Sequence, residues 1–277
     1  MNLEYKNIGE TTSDFATRLR KKLTFKKSYD QKLTFTESKK IAICGKLDPM
    51  AHGLVTILID ENTKLMSQYL NSIKVYKFTI CGQFSTDSDD VMGLITEIDP
   101  LLNNNSECIG DLVWKYSILN NVSDSGSNVS DSNINNVNDG CLIQPYHHFS
   151  AINIIKNGIR KPLHYWYLHN QLDESEIPSK SVTIYDLIQC PNVIINDYQS
   201  YVMGKLDCVD PIHASTFRID DIKKRYNECN IPKTIVLNQF IITVSSGFYI
   251  RMISKFLRQN YGICCHISDI ERIDIFN

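Results

Sequence analysis

The sequence has no run of about eighteen apolar residues, so no membrane span is predicted. It has nine cysteines, but none stands in a C-x-x-C pair, which argues against a zinc site and favours reduced thiols. Residues 1–6 have neither an apolar core nor an Arg-rich amphipathic pattern, so no export or transit sequence is expected. These absences together predict a cytoplasmic protein without a metal.

A surplus of basic residues is also missing. The chain has 29 Lys and Arg against 31 Asp and Glu, whereas most RNA-binding domains carry a net basic face. The basic residues nevertheless cluster in the first fifty positions, at Arg18, Arg20, Lys21, Lys22, Lys26, Lys27, Lys39, Lys40 and Lys46. This cluster is either a solvated face or a surface for an anionic partner.

One carboxylate stands out in the stretch from Gly45 to Gly53. Two short apolar runs, 41–43 and 54–59, flank the stretch and read as buried strands. The two glycines permit backbone angles that other residues avoid, and Pro49 fixes the turn just after Asp48. A rigid turn of this kind suits a positioned nucleophile or base. An ordinary Asp-Pro turn between strands is the alternative interpretation.

Hydrophobic periodicity predicts an α+β fold, with a mixed, mostly antiparallel sheet and flanking helices. The predicted helices are 14–23, capped by Ser13; 62–71, burying Leu65, Met66, Tyr69 and Leu70; and 249–259, ended by Gly262. Further strands are predicted at 74–81, which is expected to be half-buried, and at 182–187, 234–237 and 240–244. Residues 119–140, rich in Asn, Ser, Asp and Gly, are predicted to be a disordered surface insertion.

Several short motifs follow one another along the chain. They are Ile8-Gly9-Glu10-Thr11-Thr12-Ser13, Leu47-Asp48-Pro49, Asn62-Thr63-Lys64, Lys74-Val75-Tyr76, the segment 82–89 with Gly93, Phe149-Ser150-Ala151 with Gly158, and Ser246-Gly247-Phe248-Tyr249-Ile250-Arg251. In this order they resemble the TruB family of pseudouridine synthases, which convert uridine 55 of tRNA to pseudouridine. The resemblance spans nearly the whole chain. It implies a pseudouridine synthase fold with a central RNA-binding cleft.

The resemblance also assigns roles to individual residues. It implies that Asp48 attacks the nucleotide, at the base or at the sugar, and that Arg251 keeps Asp48 ionised and aimed. Tyr76 would stack on the flipped-out base, which is worth roughly 1–3 kcal/mol. Contact with the base or the RNA is expected of Lys46, Lys64, Tyr249, Ile270, Lys21 and Lys22. Without that context, Arg251 would be a surface helix residue and Tyr76 a core tyrosine.

The reaction and the family together shape the remaining expectations. Isomerising uridine involves no redox step or group transfer, so no cofactor is expected. The T-arm stem-loop of tRNA is the expected partner, and the protein is expected to be a monomer. One catalytic domain over residues 1–277 is predicted, without the PUA-type RNA-binding domain that often follows in the family.

Three positions depart from the family pattern. Ile43 stands where the family has a histidine that fills the stack left by the flipped base, Lys46 replaces a threonine, and Asn153 replaces a frequent lysine. These changes affect the expected RNA affinity and efficiency more than the reaction type. Two alternatives stay open: a guide-RNA-dependent synthase, and a non-catalytic RNA-binding or tRNA-folding factor of the same fold.

Overall fold

Strands dominate the chain, and helices cover them. The computed structural model describes residues 2–27, 33–35, 39–99, 106–118, 137–138 and 141–276. The helices are α1 (Thr12–Thr24), α2 (Met66–Leu70), α3 (Ser106–Ile118), α4 (Leu163–Leu168), α5 (Tyr198–Leu206), α6 (Ile219–Glu228) and α7 (Arg251–Tyr261), with short 3₁₀ turns at Asp60–Leu65, Glu174–Glu176 and Pro211–His213. In this described part, no helix is both long and apolar enough to cross a membrane.

The strands are numbered along the chain. They are β1 (Asn2–Lys6), β2 (Phe25–Lys27), β3 (Leu33–Phe35), β4 (Ile41–Cys44), β5 (Ala51–Ile59), β6 (Ile73–Cys81), β7 (Phe84–Thr86), β8 (Ile95–Ile98), β9 (Val137–Asn138), β10 (Cys141–Pro145), β11 (Asn153–Lys156), β12 (Ile159–Pro162), β13 (Ser179–Val182), β14 (Ile184–Ile195), β15 (Ile235–Val244) and β16 (His266–Phe276).

A seven-stranded sheet forms the centre of the described structure. Its order is β1-β5-β16-β6-β15-β14, with β4 paired to β5. Only the β5–β16 pairing is parallel among these strands, so the sheet is mixed and mostly antiparallel, as predicted. Strand β16 lies between β5, which follows the Asp48 loop, and β6, which carries Tyr76. The sheet order therefore brings three distant parts of the chain together.

Two hydrophobic cores hold helices against this sheet. The first core joins α1, α3 and α7 to the sheet through residues such as Phe15, Val113, Leu257 and Phe78. The second joins α5 and α6 to it through aromatic residues that include Tyr198 and Tyr226. The fold class predicted from periodicity is thus confirmed. The insertion predicted at 119–140 lies outside the described residues except for β9, and the prediction of one domain remains a prediction.

Several local predictions were wrong. Helix α1 is capped by Thr11, not Ser13, because the Thr11 hydroxyl accepts a hydrogen bond from the Asp14 amide at 3.2 Å. The segment 62–71 is a 3₁₀ turn followed by the single-turn α2, and its apolar residues Leu65, Met66, Tyr69 and Leu70 are not buried. So short a helix leaves much of its surface in solvent.

The strand boundaries also differ from the prediction in three places. Strand β6 is buried on both faces, not half-buried, because Phe78 on one face lies in the first core and Cys81 on the other face lies in the second. The segments 234–237 and 240–244 form the single strand β15, whose buried Asn238 interrupts the apolar pattern. The segment 182–187 is divided between β13 and β14 at Thr183.

Candidate active site

The loop between β4 and β5 presents Asp48 at a tight turn. The Asp48 carbonyl accepts a hydrogen bond from the Ala51 amide at 3.1 Å, with Pro49 at the second position of the turn. Gly45 has a φ of 82°, and Gly53 has a φ of 112°. A Cβ atom on Gly53 would lie 2.3 Å from the Arg272 carbonyl oxygen, so the pairing of β5 with β16 requires glycine there. The Asp48 side chain remains 37% exposed and can be reached from solvent.

Arg251, the first residue of α7, points its guanidinium at this carboxylate. Its Nη2 lies 2.7 Å from Asp48 Oδ2, and its side chain is only 5% exposed. The interpretation of Arg251 as a surface helix residue is therefore wrong. Burial alone would lower the pKa of Arg251, but the Asp48 and Asp90 carboxylates outweigh it and raise that pKa. A guanidinium fixed in this way also fixes the direction of the Asp48 carboxylate.

Asp90 is a second carboxylate on the same guanidinium. Its Oδ2 lies 3.6 Å from Arg251 Nη1, and its side chain is 5% exposed. Burial raises the pKa of Asp90, and Arg251 offsets this only in part. The Ser88 carbonyl also accepts a hydrogen bond from Arg251 Nη1, at 3.2 Å. The acidic run 87–90 was visible in the sequence, but nothing local distinguished Asp90 from its neighbours.

Tyr76 and Ile270 lie on one face of the sheet in adjacent strands. Ile270 pairs with Phe78 across β16 and β6, and Tyr76 pairs with Arg272 two residues further along. Tyr76 is 8% and Ile270 7% exposed, and both belong to the first core together with Leu47 of the acid loop. The predicted stacking residue and the predicted pocket residue are thus neighbours beside the loop.

Tyr249 lies on the Arg251 side of the site. Its backbone amide donates to Gln144 Oε1 at 2.7 Å, and its ring meets the Tyr146 ring edge to face at 5.6 Å. Burial, and then the Asp48 carboxylate, raise the pKa of Tyr249 to about 12. Its phenol is therefore protonated at neutral pH and remains a hydrogen-bond donor.

The buried Lys6 side chain is hydrogen-bonded to the backbone of the Asp48 loop. The sequence analysis did not identify this residue. Its ammonium donates to the carbonyls of Asp48, Pro49 and Ala51 at 3.1, 3.2 and 2.7 Å, and Lys6 is 1% exposed. Burial lowers its pKa from 10.5 to about 8. A lysine in the alternating pattern of an edge strand looks like an ordinary exposed residue, so only the fold identifies this contact.

The lowered pKa of Lys6 predicts a pH dependence of stability. The folded protein releases this proton near pH 8, while the unfolded chain keeps it until about 10.5, so the unfolded state binds more protons between these values. The Lys6 contribution to the free energy of unfolding therefore increases as pH rises through this range. We expect the free energy of unfolding of Lys6→Met to lack this increase, and urea unfolding at pH 7.5, 8.5 and 9.5 would measure it. If the free energy of unfolding changed with pH equally in wild type and variant, the prediction would be wrong.

The remaining predicted cations lie on the surface. Lys46 is exposed in the loop itself, two residues before Asp48. Lys64 is paired with Glu61, and Lys22 with Glu4 at 2.8 Å, while Lys21 is exposed in the last turn of α1. No described contact links Lys64, Lys21 or Lys22 to Asp48. The structure thus brings Asp48, Arg251, Tyr76, Ile270, Tyr249 and Lys46 together and leaves these three lysines apart.

The structure also shows what surrounds Ile43 and His52. Ile43 is partly buried against the first core, where it packs as an apolar side chain. His52 does not replace the missing histidine, because its ring lies between Tyr5 and Asp269, at 2.7 and 3.3 Å. The described residues contain no group of three or more His, Cys, Asp or Glu side chains that could hold a metal ion.

Comparison with known proteins identifies the part of the chain that carries Asp48. Residues 16–117 match the model of the TruB family pseudouridylate synthase (N terminal domain). This segment is similar to the TruB family. It contains Asp48, Tyr76 and Asp90, while Arg251 and Ile270 reach the same site from later parts of the chain.

Known proteins resemble this chain over part of their length. A tRNA pseudouridine synthase B of Mesorhizobium japonicum is 22% identical over 239 residues, which cover 86% of this chain and 52% of that protein. One of Mesoplasma florum is 32% identical over 111 residues, 40% of this chain and 34% of that protein. The chain thus spans about half the length of the first relative and a third of the second. A crystal structure of a Cbf5-Nop10-Gar1 complex is 12% identical, with a TM-score of 0.46, over 98% of this chain and 47% of that one.

Proposed function

We propose that this protein isomerises uridine in RNA to pseudouridine, with Asp48 as the reacting carboxylate. One observation carries the proposal: in a segment similar to the TruB family, Asp48 stands solvent-accessible at 2.7 Å from a buried arginine. A carboxylate held in this way is aimed without being enclosed. An open site suits a polymer substrate better than a small molecule, which needs burial on most sides.

The chemistry requires little beyond what the site holds. The bond between N1 of uracil and C1′ of the ribose breaks, the ring turns over, and C5 bonds to C1′; C5 loses a proton and N1 gains one. Asp48 acts as nucleophile, at the base or at the sugar, and splits this rearrangement into two steps. Tyr76 offers a ring face on which a base extruded from an RNA loop would stack. The balance needs no oxidant, reductant or co-substrate.

We infer that the substrate is tRNA, recognised through its T-arm stem-loop. The support is the name tRNA pseudouridine synthase B that the related proteins carry, together with the motif order of the chain. RNA loops are recognised through splayed bases and through shape and phosphate contacts. Such contacts do not require a net basic protein, only local cations such as Lys46.

A direct assay tests the reaction and the substrate together. The purified protein is incubated with an unmodified tRNA transcript, and pseudouridine is mapped by carbodiimide-blocked primer extension. We expect one stop, at the T-loop uridine, in the full tRNA and in an isolated T-arm stem-loop. A transcript with cytidine at that position serves as the control. Tight RNA binding without any stop would support the non-catalytic RNA-binding factor instead.

Lys46 should strengthen RNA binding without taking part in chemistry. An exposed lysine that neutralises one phosphate changes the slope of log affinity against log salt by about one. We therefore expect Lys46→Gln to weaken binding of the transcript, to reduce that slope by about one, and to leave the single-turnover rate at saturating RNA unchanged. Filter binding at several salt concentrations measures the affinity and the slope. Lys224→Gln, which removes an exposed lysine that is paired with Glu228, is the matched control.

A further inference from the structure

Arg272 joins the two sides of the site from within the sheet. On β16 it pairs with Tyr76 of β6 on one side and with Gly53 of β5 on the other. Directly paired residues of an antiparallel ladder project from the same face. The Arg272 side chain therefore stands next to the Tyr76 ring, whose centroid lies 5.4 Å from its guanidinium carbon.

The donors of this guanidinium are divided between the ring and the loop. Nε donates to the Tyr76 hydroxyl at 3.2 Å, while Nη1 and Nη2 donate to the carbonyls of Gly45 and Lys46 at 3.0 and 3.3 Å. Because the guanidinium is planar and rigid, these three bonds fix the Tyr76 hydroxyl relative to the backbone just before Asp48. Among the described residues, no other side chain is seen to form hydrogen bonds with both the Tyr76 hydroxyl and the loop backbone before Asp48.

The burial of Arg272 indicates that this residue does more than fill space in the core. Arg272 is 1% exposed, and its described hydrogen bonds all go to neutral oxygens. A buried charge without a carboxylate partner is costly, and an apolar side chain would fill the same volume at less cost. An apolar side chain could not form the hydrogen bonds that connect Tyr76 to the Asp48 loop.

We propose that Arg272 is a positioning residue that sets the separation between the Tyr76 ring and the loop carrying Asp48. That separation is the width of the slot in which a uracil ring would turn over. The inference rests on the proposed isomerisation for its effect on rate. Arg272 itself does not touch the substrate, because it is buried.

Single-turnover kinetics at saturating transcript test this role. Since a misplacement of about 1 Å can cost about 100-fold in rate, we expect Arg272→Met to lower the rate constant by about 10- to 100-fold. Arg272→Lys, which keeps the charge without the planar fork, should lose less. RNA affinity should not change. The reaction amplitude reports the folded fraction, so a purely structural role would lower amplitude and unfolding temperature and leave the rate constant unchanged.

Tyr198→Phe is the matched control. Tyr198 is buried, and its hydroxyl is hydrogen-bonded to His266 and Ser268 at 2.9 and 2.8 Å. Both partners lie on β16, as Arg272 does, but these contacts do not reach the Asp48 loop. We expect this variant to be destabilised with a wild-type rate constant. If Arg272→Met has a wild-type rate constant on an active enzyme, the proposal is overturned.

Hydrogen exchange of the free protein gives a second readout that needs no activity. We expect faster amide exchange in the peptide covering residues 45–50 of Arg272→Met, and unchanged exchange there in Tyr198→Phe. Should wild type isomerise no uridine in any transcript, the proposed function fails, and loop exchange alone decides whether Arg272 holds the loop. Unchanged exchange in Arg272→Met would overturn the proposal in either case.

Discussion

Asp48→Asn should abolish pseudouridine formation while leaving RNA binding intact. The amide keeps the size of the side chain but supplies no nucleophile, and loss of a nucleophile costs about 10⁴-fold or more in rate. The variant should fold, because Arg251 retains Asp90 and Asp48 itself is 37% exposed. Single-turnover mapping of the modified uridine, together with filter binding of the same transcript, measures both quantities.

The control for this variant is another exposed aspartate with a cationic partner. Asp207 pairs with Lys223, and its side chain is 64% exposed. Asp207→Asn should retain the wild-type rate. A modified uridine formed by Asp48→Asn at more than about one hundredth of the wild-type rate would remove Asp48 from the chemistry, since nucleophile substitutions are far more damaging. Equal RNA folding activity in both variants, without modification, would identify a chaperone.

Arg251→Met should damage both activity and stability. The Asp48 carboxylate loses its fixed partner, and loss of one such electrostatic contact lowers rates by about 10²- to 10³-fold. Asp90 loses the guanidinium at 3.6 Å and becomes an uncompensated buried charge. Removing one partner from a buried ion pair destabilises a protein by about 3–5 kcal/mol. Urea unfolding and single-turnover kinetics measure the two effects separately.

The stability loss of Arg251→Met should depend on pH in a definite direction. Burial already raises the pKa of Asp90 above its ordinary 3.8, and without Arg251 that pKa rises further. Between 3.8 and the folded value, the folded variant binds a proton that the unfolded chain does not, so its stability falls as pH rises. The difference from wild type should therefore be smaller at pH 5 than at pH 8. A difference independent of pH would show that Asp90 is not its source.

Arg258→Met separates stability from catalysis on the same helix. Arg258 lies 2.6 Å from the buried Asp89, about two turns along α7 from Arg251. Losing this contact leaves the buried Asp89 carboxylate without Arg258, although Asp89 keeps a hydrogen bond to His147 at 3.0 Å. The loss does not involve Asp48. We expect Arg258→Met to be destabilised with a wild-type single-turnover rate. If it loses activity as severely as Arg251→Met does, instability of α7 would explain both results.

The parts of the site that depend on local chemistry could be predicted from the sequence. The Asp48 turn follows from Pro49 and two glycines, and both glycines do adopt positive φ angles. Helix α7 follows from its apolar stripe, and Gly262 at its end has a φ of 66°. Each of these features is fixed within a few residues, so a short window of sequence contains its cause.

The contacts that hold the loop could not be predicted in the same way. Arg272 bonds to Tyr76 across 196 positions of the chain and to Gly45 across 227, and Lys6 reaches Asp48 across 42. Which residues meet at such separations depends on the order of strands in the sheet, and periodicity does not determine that order. The burial predicted for 62–71 was wrong for a related reason, since an apolar pattern does not say what will cover it.

The central position of β16 has a consequence for biosynthesis. A ribosome adds residues at about 5–20 per second, and the segment that supplies Arg272 is made long after the Asp48 loop and β6. Until that strand enters between β5 and β6, the loop lacks one of its two anchors and the sheet is open at its middle. A nascent chain should therefore be unable to modify RNA until residues 266–276 have left the exit tunnel. Activity would then appear in one step, when β16 enters the sheet.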